Sequence, residues 1–194
     1  LAIYNIIVMN TKTPISFKTG KPLEFIENGN YIQKFENFNF DIDKIKAEFL
    51  SIFYEIKVWS KDDPELNDFN AICVNQKPDD PKSITGGNVR GKYWTYPKSD
   101  FKEEERLVEI NESEYTEICK PFRGTYIEEV YGIIKSVWKI GRMRFLMKPP
   151  RSCLSWHRDP EKRIHIPIIT NPGCRMVIEN ESFHLPADGS VYIT

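Results

Sequence analysis

Histidine is scarce in this chain: His157, His165 and His184 are the only three in 194 residues. Neither sign of charge predominates, with 27 Lys and Arg against 28 Asp and Glu. That balance leaves no electrostatic footprint for nucleic acid or for an anionic membrane surface, so neither is expected as a partner. No Cys-x-x-Cys pair occurs among Cys73, Cys119, Cys153 and Cys174, which excludes a zinc-ribbon pattern. Four reduced thiols in a cytoplasmic protein are the expectation. The apolar opening run, Leu1 to Met9, is too short to span a bilayer and lacks the basic leader and small-residue cleavage site of a secretory signal. It reads as an edge strand or as sequence upstream of the true start. Internal repeats and low-complexity segments are missing as well.

With 40% of its residues hydrophobic, the chain is long enough to bury one sizeable core, and residues 1–194 are expected to form a single domain. Its two parts differ in pattern. Residues 1–139 mix helix and loop. Asp41 can cap a helix in which Ile42, Ile45, Phe49, Ile52 and Ile56 recur at helical spacing. Thr125-Tyr126-Ile127-Glu128 is a capping box, followed by Ile127, Val130, Tyr131, Ile134, Val137 and Trp138 on one side. Between the two helices, residues 76–105 are rich in Pro, Gly, Asp and Lys and show little periodicity, the signature of a long loop that either covers a substrate or simply lies on the surface. Its Gly86-Gly87 pair lacks Walker spacing.

From residue 140 the pattern changes to short strands separated by turn signals. They run over 142–147, 164–169, 175–179, 183–185 and from 191 onward, with breaks at Pro149-Pro150, Asn171-Pro172-Gly173, Asn180-Glu181 and Asp188-Gly189. Such spacing argues for an antiparallel sandwich or barrel. The chain begins with Leu and stops inside a strand-like run at Thr194, so it reads as a fragment.

The chemistry-bearing stretch is Ser155-Trp156-His157-Arg158-Asp159-Pro160, followed closely by Arg163-Ile164-His165-Ile166-Pro167-Ile168. In an extended segment His157 and Asp159 point the same way, and together they supply two legs of the 2-His-1-carboxylate triad that holds non-haem Fe(II). A histidine bonded to a nearby carboxylate is also a common structural pair. Arg163 and His165 are likewise two apart, on a strand whose other face carries Ile164, Ile166 and Ile168. An arginine and a histidine beside a metal provide the donors that a carboxylate-bearing co-substrate needs. The plainer reading pairs Arg163 with Asp159 or Glu161 on an exposed face.

The ordered set Gly141-Arg142-x-Arg144, Pro149-Pro150, Trp156-His157-x-Asp159, Arg163-x-His165-x-Pro167-Ile168, Asn171-Pro172-Gly173 and Asp188-Gly189 resembles the aspartyl/asparaginyl β-hydroxylase family of Fe(II)- and 2-oxoglutarate-dependent oxygenases. The resemblance covers the last quarter of the chain; residues 1–140 carry no matching motif. It implies a mainly β protein with flanking helices and a double-stranded β-helix core (jelly-roll, cupin-like), begun by residues 140–194 and truncated at its C-terminal strands. It further implies catalytic and metal-binding roles for His157 and Asp159, and Fe(II) and 2-oxoglutarate as cofactor and co-substrate. Arg163 and His165 would face the 2-oxoglutarate, with Arg144 and Arg142 as weaker candidates, one of which could instead pair with an acid. The family's second iron-binding histidine and a further 2-oxoglutarate arginine would follow Thr194. His184 precedes the Asp188-Gly189 turn and reads as a strand-end residue. The implied substrate is an amino-acid side chain in a protein, a peptide or a free amino acid. A metal-free jelly-roll binding module and a cupin enzyme independent of 2-oxoglutarate are the competing readings.

Overall fold

The computed structural model describes residues 3–10, 31–60, 71–81, 84, 93–95, 103–105, 111–148, 150–151, 153, 162–178 and 181–194. Among these residues the chain is mainly β with two α-helices. Twelve strands are present among the described residues: β1 (Ile3–Asn10), β2 (Gln33–Phe35), β3 (Ala71–Cys73), β4 (Asn75–Gln76), β5 (Tyr93–Thr95), β6 (Glu103–Glu105), β7 (Glu117–Ile118), β8 (Ile140–Lys148), β9 (Arg163–Ile169), β10 (Met176–Ile178), β11 (Glu181–Phe183) and β12 (Val191–Ile193). Six of them form one antiparallel sheet in the order β2-β12-β9-β1-β8-β3. The pairs β4·β7, β5·β6 and β10·β11 form three small two-stranded sheets, and no closed barrel appears among the described residues.

The apolar opening run is not an edge strand. β1 lies inside the large sheet, pairing with β8 on one side and β9 on the other. An apolar run reads alike at an edge and in the middle; pairing on both sides is decided by partners 130 or more residues away, which local pattern cannot show. The large sheet thus draws three strands from residues 1–139 and three from residues 140–194. The stretch read as a long loop also contains strands, since β5 and β6 pair as Tyr93↔Glu105, Trp94↔Glu104 and Thr95↔Glu103.

Two helices cover one face of the sheet. α1 (Ile42–Ser60) starts where Asp41 Oδ1 accepts from the Lys44 N–H at 2.9 Å, as its spacing predicts. α2 (Tyr126–Val137) starts where Thr125 Oγ1 accepts from the Glu128 N–H. The Glu128 carboxylate reaches back one residue further than a standard capping box, accepting from the Gly124 N–H at 2.6 Å. The helices bury Ile45, Phe49, Ile52, Ile127, Val130 and Ile134 against Met143 and Phe145 of β8, Ile164, Ile166 and Ile168 of β9, and Val191 and Ile193 of β12. Phe49 stacks on Phe145 with ring centroids 4.1 Å apart. Each such side chain contributes about 1.5–3 kcal/mol by leaving water, so this layer fixes which face of β8 and β9 is apolar. Their other face is then free for polar side chains. No helix among the described residues is long and apolar enough to cross a membrane.

Candidate functional site

Strand alternation sends Arg142 and Arg144 of β8, and Arg163 and His165 of β9, to the face opposite the helices. The register aligns them further. Tyr192 of β12 pairs with His165, His165 with Ile7 of β1, Ile7 with Arg144, and Arg144 with Cys73 of β3. His165 and Arg144 therefore sit in one cross-sheet row with a single strand between them, about 9.5 Å apart at the backbone. Exposure of Arg142 is 0%, of His165 3%, of Arg144 6% and of Arg163 7%. These values rule out the reading of Arg163 as an arginine on an exposed face.

Thr194 closes the β12 side of this group. The Arg163 N–H donates to Thr194 O and the Thr194 N–H to Arg163 O, both at 2.9 Å. His165 Nε2 lies 2.9 Å from Thr194 Oγ1, so the hydroxyl bonds with one imidazole nitrogen and fixes the ring plane. Beside them Tyr192 donates its hydroxyl to Asp188, which also accepts from Lys34 at 2.8 Å and from the Ser190 N–H. Burial and the Asp188 charge push the Tyr192 hydroxyl up to about 12, so it stays protonated.

Arg142 has a different fate. Glu112 grips it through Nε and through Nη2, the latter at 2.6 Å, and Glu112 Oε2 also accepts from the Arg142 backbone N–H at 3.0 Å. Burial would raise the Glu112 carboxyl, but the hydrogen bonds and charge of Arg142 hold it below its ordinary value. The alternative in which one of the two β8 arginines pairs with an acid is thus met by Arg142. Gly141 makes the pair possible, because a Cβ there would stand 2.5 Å from Glu112 Cβ. Asn75, fully buried, holds the same segment of β8: its Oδ1 accepts from the Met143 N–H at 2.7 Å, and its Nδ2 donates to Gly141 O at 2.9 Å and Tyr115 O at 2.7 Å.

Electrostatics separate the two arginines. Burial lowers Arg144 to about 10, and the charges of Arg142 and Arg163 add to that effect. It remains a cation at neutral pH, and the guanidiniums gathered on this face favour negative charge beside them. Cys73 next to it is raised by burial to about 11, and burial also raises Cys119, so neither is a thiolate nucleophile at neutral pH.

The structure therefore brings Arg144, Arg163 and His165 to one buried face and commits Arg142 elsewhere. His157 and Asp159, the expected iron ligands, lie outside the described residues. Among the described residues no group of three or more His, Cys, Asp and Glu side chains could hold a metal ion. His184 directly follows β11 with its Nδ1 3.1 Å from Cys174 O, in keeping with a strand-end residue. Sequence reading missed Glu112 and Asn75, which reach β8 from 30 and 66 or more residues away and carry no local signal. Compared with known proteins, the chain matches no protein-family model and no curated protein.

Proposed function

We propose that this chain belongs to an Fe(II)- and 2-oxoglutarate-dependent dioxygenase that hydroxylates an amino-acid side chain, in the manner of the aspartyl/asparaginyl β-hydroxylases it resembles. The observation that carries the reading is the burial of Arg163 and His165 on the non-helical face of β9, with His165 in register across β1 with Arg144. Two guanidinium groups and an imidazole on one dry face suit a carboxylate ligand, since forked N–H donors match carboxylate oxygens and a low dielectric strengthens each bond. In this reading the six-stranded sheet is one sheet of the jelly-roll, and its polar face lines the space between the two sheets.

The donor set fits 2-oxoglutarate: Arg163 and His165 would hold one carboxylate, and Arg144 stands in the same cross-sheet row as His165. For iron, the resemblance implies His157 and Asp159 as the residues that would hold it. When bound, the metal supplies oxygen activation coupled to oxidative decarboxylation of the 2-oxo acid, and the product is a hydroxylated side chain. The chain's own task is positional. Thr194 orients the His165 ring, the Arg163·Thr194 backbone pair fixes β9 against β12, and burial excludes water that would compete for the guanidinium donors.

Anaerobic titration with Fe(II) and 2-oxoglutarate, following the visible charge-transfer band of the chelate, tests the proposal. A band that disappears in His157→Ala is the expected result. Binding of 2-oxoglutarate without metal, and with no band even in a chain extended past Thr194, would favour the non-catalytic small-ligand module instead.

A further inference from the structure

We propose that Glu112 is a positioning residue for the anion-binding row, acting through Arg142 to set Arg144. The proposal rests on the functional reading above, in which Arg144 is one of the groups that meet 2-oxoglutarate. Arg142 sits where the β1·β8 ladder is interrupted, for the register shifts between Val8 and Asn10 of β1. A bulge leaves a backbone N–H without its ladder acceptor. The Glu112 carboxylate supplies that acceptor, taking the Arg142 N–H at 3.0 Å while it grips the side chain of the same residue. On the opposite edge of β8, Asn75 holds Met143 N–H and Gly141 O, and the Val74 N–H donates to Met143 O at 2.8 Å. The three residues that lead into Arg144 are thus clamped on both edges.

Arg142 and Arg144 are same-face neighbours two residues apart, so a turn of the strand at Arg142 is transmitted to Arg144. Charge acts in the same sense. Engaged by Glu112, the Arg142 guanidinium stays at its own end of the face; released, it becomes a like charge that can crowd Arg144 and compete for its ligand. A carboxylate that touches no substrate thereby decides which of two neighbouring arginines is presented.

Calorimetric titration of 2-oxoglutarate onto the chain and onto Glu112→Gln, Arg144→Gln and the double variant tests this. Glu112→Gln should weaken binding about tenfold, and the double variant should bind no more weakly than Arg144→Gln alone, the non-additivity of residues acting through one group. Unchanged affinity in Glu112→Gln, or an effect that adds in full to that of Arg144→Gln, would overturn the proposal. The Nε–H resonance of Arg144 in ligand-free protein gives a readout independent of ligand. A shift in Glu112→Gln supports positioning even if the wild type binds no 2-oxoglutarate, an outcome that would sink the functional reading alone; movement confined to Arg142 overturns it. If Glu112→Gln does not fold, Glu112→Asp, whose shorter carboxylate cannot keep both the Arg142 side chain and its backbone N–H yet leaves an acid beside the buried cation, carries the same comparison.

Discussion

The two ends of the polar face are built on opposite electrostatic terms. At one, Arg142 meets a carboxylate that bonds to both its side chain and its backbone, and each partner holds the other in its charged form. At the other, burial and two neighbouring guanidiniums oppose the charge on Arg144. A buried ion whose charge is matched reads as scaffold. A buried cation set beside two others makes a face that favours an anion, the kind of electrostatic setting found at binding sites.

The comparison breaks most readily at its matched end. Glu112→Leu leaves Arg142 buried without its acid and should cost about 3–5 kcal/mol in denaturant unfolding. The pair also has an acid signature. Because the folded Glu112 carboxyl lies below its unfolded value, its contribution is complete above the unfolded value, near pH 4.3, and fades as pH falls through the folded value. Stability measured in that acid window should therefore fall less steeply in Glu112→Gln than in the wild type.

A smaller loss is expected one residue away. Gly141→Ala places a methyl group against Glu112 Cβ and should cost about 1–3 kcal/mol, with β8 or the turn carrying Glu112 shifting to make room. Least of all, Arg144→Met should cost less unfolding stability than Glu112→Leu, since burial already disfavours the charge it removes, while weakening the anion affinity of the face. A large stability loss in Arg144→Met would erase the distinction between the two ends.

What the sequence made legible follows from range. Both helices were readable because Asp41 and Thr125 cap within three residues and their apolar stripes repeat locally. The alternation that puts Ile164, Ile166 and Ile168 in the core and Arg163 and His165 opposite them was equally local. Several pieces of the family-like pattern prove to have structural duties. Gly141 and Arg142 serve Glu112; Asn171 Oδ1 accepts from the Gly173 N–H in a turn; Asp188 ties Lys34, Ser190 and Tyr192 together. Gly189 adopts φ +83° where a Cβ would meet Phe40 O at 2.5 Å. Arg144, Arg163 and His165, members of the same pattern, lie buried on the face opposite the helices. Hidden from any local window were the placement of β1 and the reach of Asn75 and Glu112, each of which depends on a partner far along the chain.

The central position of β1 bears on how this chain is made. During synthesis its apolar strand leaves the ribosome long before either β8 or β9 exists, and at about 5–20 residues per second it waits on the order of ten seconds for both neighbours. β8 and β9, which follow each other closely, could meanwhile close on one another and leave no gap for it. The nascent chain must keep that slot open or reopen it, so the yield of folded protein in cells should respond to the speed of translation and to chaperones that shelter extended apolar segments.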